Sequence, residues 1–209
     1  SHIFERIKMN TPNKITITRF ILTIILIAIM VFPYNSCNIN IPYLGNTGFN
    51  VIDLVGCIIF IVASITDFVD GHLARKNNLV TDFGKFMDPL ADKFLVNSSL
   101  IILAVQKSNL LPVLIVVLMI GRDIAVDGIK LISAKKGRTV AANIYGKLKT
   151  VFQMIAIPVI FLNGFPFNYL LKENTYIITI ILASLACLMS LISGVIYIYQ
   201  NRDMIKEAK

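Results

Sequence analysis

Six long apolar stretches, separated by short polar ones, organise the chain. They run over about 15–32, 50–66, 89–106, 110–132, 147–163 and 175–199. Each is long enough, or nearly so, to cross a ~30 Å hydrocarbon layer as a helix. Helix is the required form, because lipid offers no partner for loose backbone N–H and C=O groups. The pattern predicts an all-α, polytopic membrane protein with six transmembrane helices. Residues 33–49 are rich in Pro, Asn and Gly and read as a loop. No internal repeat and no second domain is evident, so residues 1–209 are expected to form a single domain, with 1–14 a short juxtamembrane segment.

Charge orients this pattern. The loop 33–49 holds no Lys or Arg, the turn near 106–109 holds only Lys107, and the loop 163–174 holds only Lys172. Of the 20 basic residues, 17 fall on the opposite side, 2 on this one, and Arg122 sits inside an apolar run. Basic residues accumulate on the cytoplasmic side of membrane proteins. Both termini and the polar segment 67–92 are therefore expected to face the cytoplasm, with the protein in the plasma membrane.

Composition agrees. Of the 209 residues, 56% are hydrophobic and only 15% charged, against roughly 25% charged in an average soluble domain. The net charge of +8 has its explanation in orientation. It comes with no helix-turn-helix or stacked-aromatic pattern, and nucleic acid is not an expected partner. Cys37, Cys57 and Cys187 lack zinc-type spacing and form no evident disulfide framework. The first eight residues, SHIFERIK, precede Met9 and lack a signal-peptide apolar region. They read equally well as an appended remnant or a short amphipathic helix.

The chemistry concentrates in one segment, DFVDGHLARKNNLVTDFGKFMDPLADK, from Asp67. Asp67 and Asp70 are three apart, and Asp88 and Asp92 four apart, so each pair shares a helix face. Residues 76–83 make a short loop between the two helical segments. Two facing helices would gather four carboxylates. Four bare anions do not share a partly desolvated site unless some protonate or cations bind. Carboxylate oxygens suit hard ions such as Mg²⁺ or Mn²⁺, and four are about the number that a pair of ions ~4 Å apart needs. Gly71 and Ala74 leave room for a bulky ligand, and the Arg75 guanidinium suits a diphosphate. The plainer alternative is a solvated helix end, salt-bridged to Arg75, Lys85 and Lys93. The paired spacing beside membrane spans favours the functional reading.

The segment resembles the signature of the CDP-alcohol phosphotransferase family, D-x₂-D-G-x₂-A-R-x₈-G-x₃-D-x₃-D, at every fixed position: Asp67, Asp70, Gly71, Ala74, Arg75, Gly84, Asp88 and Asp92. The six-span layout resembles that family over nearly the whole chain. The resemblance implies a two-metal centre on Asp67, Asp70, Asp88 and Asp92, with Asp92 also the catalytic base. It implies that Gly71 and Arg75 contact the CDP part of CDP-diacylglycerol, with Thr81 a weaker candidate. TPNKITITRF resembles the family's P-N-x-x-T-x-x-R approach to the first span, so Asn13, Thr16 and Arg19 are candidates for the nucleotide or lipid phosphate. Helix capping by Asn13 and headgroup anchoring by Arg19 explain them equally. A homodimer is also implied.

The signature does not choose the acceptor alcohol. A phosphorylated acceptor needs a further basic cluster. Gly121-Arg122-Asp123 and Gly146-Lys147-Leu148-Lys149-Thr150 supply one, and both resemble segments of the family's bacterial phosphatidylglycerophosphate synthases, where the first is more usually G-R-E. Glycerol 3-phosphate is the expected acceptor. Arg122, Lys135, Lys147 and Lys149 are the candidate phosphate ligands. An unpaired Arg in an apolar run costs at least ~2.5 kcal/mol, so Asp123 or Asp127 acting as a purely structural clamp is the competing reading of Arg122. Inositol phosphate, serine or phosphatidylglycerol are the alternative acceptors. A cation transporter would spread its acids along a crossing path and show paired Gly/Pro interruptions. A non-catalytic scaffold would tolerate loss of Asp88 or Asp92.

Overall fold

The computed structural model describes residues 11–45, 48–76, 82–135, 143–167 and 174–202; the side chains of 11–14, 67–76, 82–86 and 135 fall outside that description. Six long helices account for most of the described residues: α1 Thr11–Val31, α2 Val51–Lys76, α3 Asp82–Gln106, α4 Val113–Lys135, α5 Ile144–Phe161 and α6 Thr175–Gln200. No regular strand occurs among the described residues. Tyr43 and Asn50 form an isolated antiparallel bridge.

The helices match the six apolar stretches, with two instructive differences. α2 continues ten residues past the apolar segment ending at 66, and α3 starts seven before the one beginning at 89. Both extensions carry the polar signature. A helix satisfies its own backbone, so it runs on through charged sequence once nucleated. Apolar composition marks how much of a helix suits lipid and says little about where it stops. By length and apolarity, two helices among the described residues suffice to cross a membrane, Ile144–Phe161 and Thr175–Gln200, with shorter apolar stretches at Ile15–Val31 and Val51–Thr66.

The chain divides into two compact units, Ser1–Ile102 and Leu103–Lys209. In the first, α1 packs on α2, and Phe20 of α1 stacks on Phe94 of α3 with ring centroids 5.5 Å apart. Leu26, Phe60, Ala63, Ala91 and Leu95 are buried there. α2 opens with a reciprocal cap. Asp53 N–H donates to Asn50 Oδ1 at 2.8 Å and Asn50 N–H to Asp53 Oδ2 at 3.2 Å, which satisfies two of the donors a helix start leaves over.

In the second unit, α6 packs on both α4 and α5. Its buried face is Thr175, Thr179, Ala183, Ala186, Cys187, Ser190, Ser193, Gly194 and Tyr197. These residues recur every three or four positions and are nearly all small, which lets helices approach closely. The α5–α6 corner turns through Asn163 and Gly164, both at positive φ. A Cβ on Gly164 would lie 2.0 Å from Thr175 Cγ2, so the corner requires glycine. Lys107 Nζ donates to the Phe161 carbonyl at 2.6 Å, capping the end of α5. Serines within the helices return their hydroxyls to the preceding turn, as Ser64, Ser99 and Ser133 do, so their polarity costs little in apolar surroundings.

Candidate functional site

Two polar constellations stand out, one in each unit. In the first, Asp88 and Asp92 lie one turn apart on α3, both half-buried. Thr16 of α1, fully buried, donates its hydroxyl to Asp88 Oδ1 at 2.5 Å. Arg19, one turn further along α1, is 1% exposed, and its carbonyl accepts the Thr23 hydroxyl at 2.8 Å. Two residues expected on separate grounds, Thr16 for the nucleotide or lipid phosphate and Asp88 for metal, are thus direct partners. Pro89 lacks an N–H, which removes one backbone hydrogen bond in the turn beside Asp88.

Asp67, Asp70, Gly71 and Arg75 are on α2 and Asn13 is on α1, but their side chains fall outside the described residues, and Thr81 lies outside them altogether. Among the described residues no group of three or more His, Cys, Asp or Glu is gathered as a metal site. The two described acids nonetheless fit a hard divalent cation. They are oxygen donors on one helix face, partly shielded from water, and Thr16 fixes the Asp88 carboxylate in place by donating to it.

The second constellation joins three helices. Arg122 and Asp123 come from α4, Lys149 from α5 and Ser193 from α6. Arg122 Nη1 donates to Asp123 Oδ1 at 2.9 Å and Nη2 to Ser193 Oγ at 2.5 Å. Lys149 Nζ donates to both Asp123 oxygens. Adjacent helical positions point about 100° apart, and only the length of the arginine lets it reach its neighbour. The side chains of Arg122, Asp123 and Lys149 are 11%, 10% and 9% exposed. Two cations share the Asp123 carboxylate in a desolvated place. Arg122 Nε is buried and has no acceptor among the described residues. Nearby, Gln153 is buried, its amide 3.5 Å from Met119 Sδ.

Of the expected phosphate ligands, Arg122 and Lys149 are therefore brought together through Asp123. Lys147 is exposed on the outer side of α5, apart from these contacts, and the Lys135 side chain lies outside the described residues. Two participants escaped sequence reasoning. Ser193 is fully buried, and Asn143, the N-cap of α5, accepts the Ser193 hydroxyl at 2.7 Å. The available signal was Ser193-Gly194 as a polar and small pair in an apolar helix, together with Asn143 three residues before Gly146.

Comparison with known proteins decides the family. The CDP-alcohol phosphatidyltransferase family model matches residues 9–196. The chain belongs to that family. It is 46% identical over 159 residues to the CDP-diacylglycerol–glycerol-3-phosphate 3-phosphatidyltransferase of Bacillus subtilis (strain 168), covering 76% of this chain and 80% of that protein. The protein of the same name from Mycoplasma pneumoniae is 36% identical over 166 residues, 78% of this chain and 71% of its own. The one from Rickettsia bellii is 33% identical over 194 residues, 92% and 95%. This CDP-alcohol phosphatidyltransferase is thus an enzyme of phospholipid synthesis from a membrane-associated family that uses divalent cations.

Proposed function

We propose that this CDP-alcohol phosphatidyltransferase moves the phosphatidyl group of CDP-diacylglycerol to glycerol 3-phosphate, giving phosphatidylglycerophosphate and CMP. The reaction is supported by the family match over residues 9–196, and residues 1–209 are proposed as a single catalytic domain. The acceptor is supported by the relatives' shared name. The single structural observation that carries it is the buried cluster that sets two cations, Arg122 and Lys149, on Asp123 and leaves the Arg122 Nε–H without an acceptor among the described residues. Such a cluster favours a phosphorylated alcohol over a neutral one.

The protein works as six membrane-spanning helices with both termini and Asp67–Asp92 on the cytoplasmic side. The basic residues favour this orientation. The outward faces favour the membrane, since Val117, Ile124, Leu131 and Val195 are each more than half exposed, and a soluble protein would bury such a surface. Asp67, Asp70, Asp88 and Asp92 hold two divalent cations, Mg²⁺ or Mn²⁺. When bound, such cations neutralise the diphosphate oxygens and the departing CMP.

The chain's own groups do the rest. Asp92 takes the proton from the acceptor hydroxyl. That oxygen forms a bond to the lipid-bearing phosphorus while the bond from this phosphorus to the CMP oxygen breaks. Thr16 holds Asp88 by its donated hydrogen bond. Gly71, Arg75, Thr81 and Asn13 bind the CDP-diacylglycerol headgroup. Arg122 and Lys149 bind the acceptor phosphate, with Lys147 and Lys135 adding positive potential.

Purified protein supplied with CDP-diacylglycerol, radiolabelled glycerol 3-phosphate and Mg²⁺ or Mn²⁺ is expected to release CMP and form a labelled phospholipid. Turnover of inositol phosphate, serine or phosphatidylglycerol in place of glycerol 3-phosphate would contradict the acceptor. Absence of CMP release with every alcohol would contradict the reaction.

A further inference from the structure

We infer that Ser193 and Asn143 are positioning residues for Arg122, fixing the guanidinium in the orientation that receives the acceptor phosphate. This rests on the role proposed above for Arg122. The starting point is the direction of each hydrogen bond. Asn143 Oδ1 accepts the Gly146 N–H at 2.7 Å, and Asn143 Nδ2 donates to the Ser193 carbonyl at 3.2 Å. These two bonds fix which end of the amide is oxygen. The Ser193 hydroxyl has one proton, and it goes to that same Oδ1 at 2.7 Å. A Ser193 lone pair is then left facing Arg122 Nη2 at 2.5 Å. A guanidinium only donates, so the polarity matches along the whole chain from Arg122 through Ser193 to Asn143 and the first turn of α5.

The packing leaves the arginine little freedom. A Cβ on Gly194 would lie 2.8 Å from Arg122 Cγ and 3.3 Å from its Nε. The side chain therefore lies flat on α6, where any other residue would displace it. A Cβ on Gly146 would lie 3.2 Å from both Asn143 Oδ1 and Ser193 Oγ, so glycine there keeps the relay open. Nη1 is held by Asp123 and Nη2 by Ser193. Both ends of the guanidinium are pinned, while the buried Nε–H has no acceptor among the described residues. A donor held rigidly and left over in a desolvated place is what a phosphate oxygen would use. Orientation fixed in advance reduces the ordering cost of binding.

The test uses full-length purified protein in detergent micelles with saturating CDP-diacylglycerol and Mg²⁺, comparing Ser193→Ala, Asn143→Ser, Arg122→Met and the double variant Ser193→Ala/Arg122→Met. Ser at 143 still caps a helix but is too short to reach Ser193, which separates the relay from the cap. Ser193→Ala and Asn143→Ser should each raise the KM for glycerol 3-phosphate about three- to tenfold, the size of one ordinary net hydrogen bond, since each acts on the phosphate only through Arg122. The kcat and the KM for CDP-diacylglycerol should stay near wild type, while the unfolding midpoint falls slightly because a buried hydrogen bond is lost. In the Arg122→Met background, Ser193→Ala should add nothing, because the group it positions is gone. An unchanged acceptor KM in a folded Ser193→Ala protein would overturn the inference. So would an effect that falls equally on both substrates, or one that adds in full to Arg122→Met. An unchanged acceptor KM in Arg122→Met itself would overturn the reading of Arg122, and this inference with it.

Discussion

Asp88 and Asp92 reach one face of α3 through their spacing, four residues apart on a single helix. Arg122, Lys149 and Ser193 come from three helices and meet only because α6 packs on α4 and α5. The first arrangement is local, and periodicity predicts it. The second is tertiary, and no spacing along the chain encodes it. The two also differ in how their charge is held. The acids are half-buried and oxygen-only, suited to groups that arrive from outside. The cations are buried, already paired to one another's anion, and braced by neutral donors and acceptors. Under the proposed roles, the chemistry falls to the first unit and the choice of acceptor to the second.

The largest effect that would break this division is at Asp92. Asp92→Asn keeps the shape and removes the proposed base. CMP release should fall about 10²- to 10⁴-fold, with thermal unfolding of the purified protein unaltered. A variant that retains activity would remove the base assignment. Next comes Asp123→Ala, which strips the shared anion from Arg122 and Lys149. Breaking a buried pair from one side costs about 3–5 kcal/mol, so this variant should unfold at markedly lower denaturant, unlike Asp92→Asn. Thr16→Ala removes one hydroxyl from Asp88 and should cost about 1 kcal/mol, seen as a several-fold lower kcat at fixed Mg²⁺ and a higher Mg²⁺ requirement. The smallest effect should be at Lys147. It is exposed, so Lys147→Ala should change the acceptor KM by about twofold or less, and high salt should erase the difference. Lys149→Ala should exceed it clearly.

How far each region was legible in the sequence follows from the same contrast. The six helices could be read because each carries a long apolar run. Their polar extensions into 67–76 and 82–88 could be placed only through the Asp spacing. Asp88 with Asp92 was visible as a pair, while the Thr16 hydroxyl on Asp88 joins residues 72 apart and no pattern announces it. Arg122 was conspicuous because a charge in an apolar run is costly. Asp123 and Asp127 stood as equal partners for it, and the choice of Asp123 came with Lys149, 26 residues away. Ser193 and Gly194 read as ordinary small residues of a packed helix. Their part depends on which side chain of another helix lies against them, and that is a property of the packing alone.

The most direct test of the division is the rate of CMP release against glycerol 3-phosphate concentration, at saturating CDP-diacylglycerol, for Arg122→Met beside Asp92→Asn. Met is a suitable replacement because Asp123 keeps Lys149 as a partner. The account predicts that Arg122→Met shifts the curve to higher acceptor concentration while approaching the wild-type maximum, and that Asp92→Asn stays near zero at every concentration. An Arg122→Met curve with an unshifted midpoint and a collapsed maximum, or an Asp92→Asn enzyme near the wild-type maximum, would contradict it.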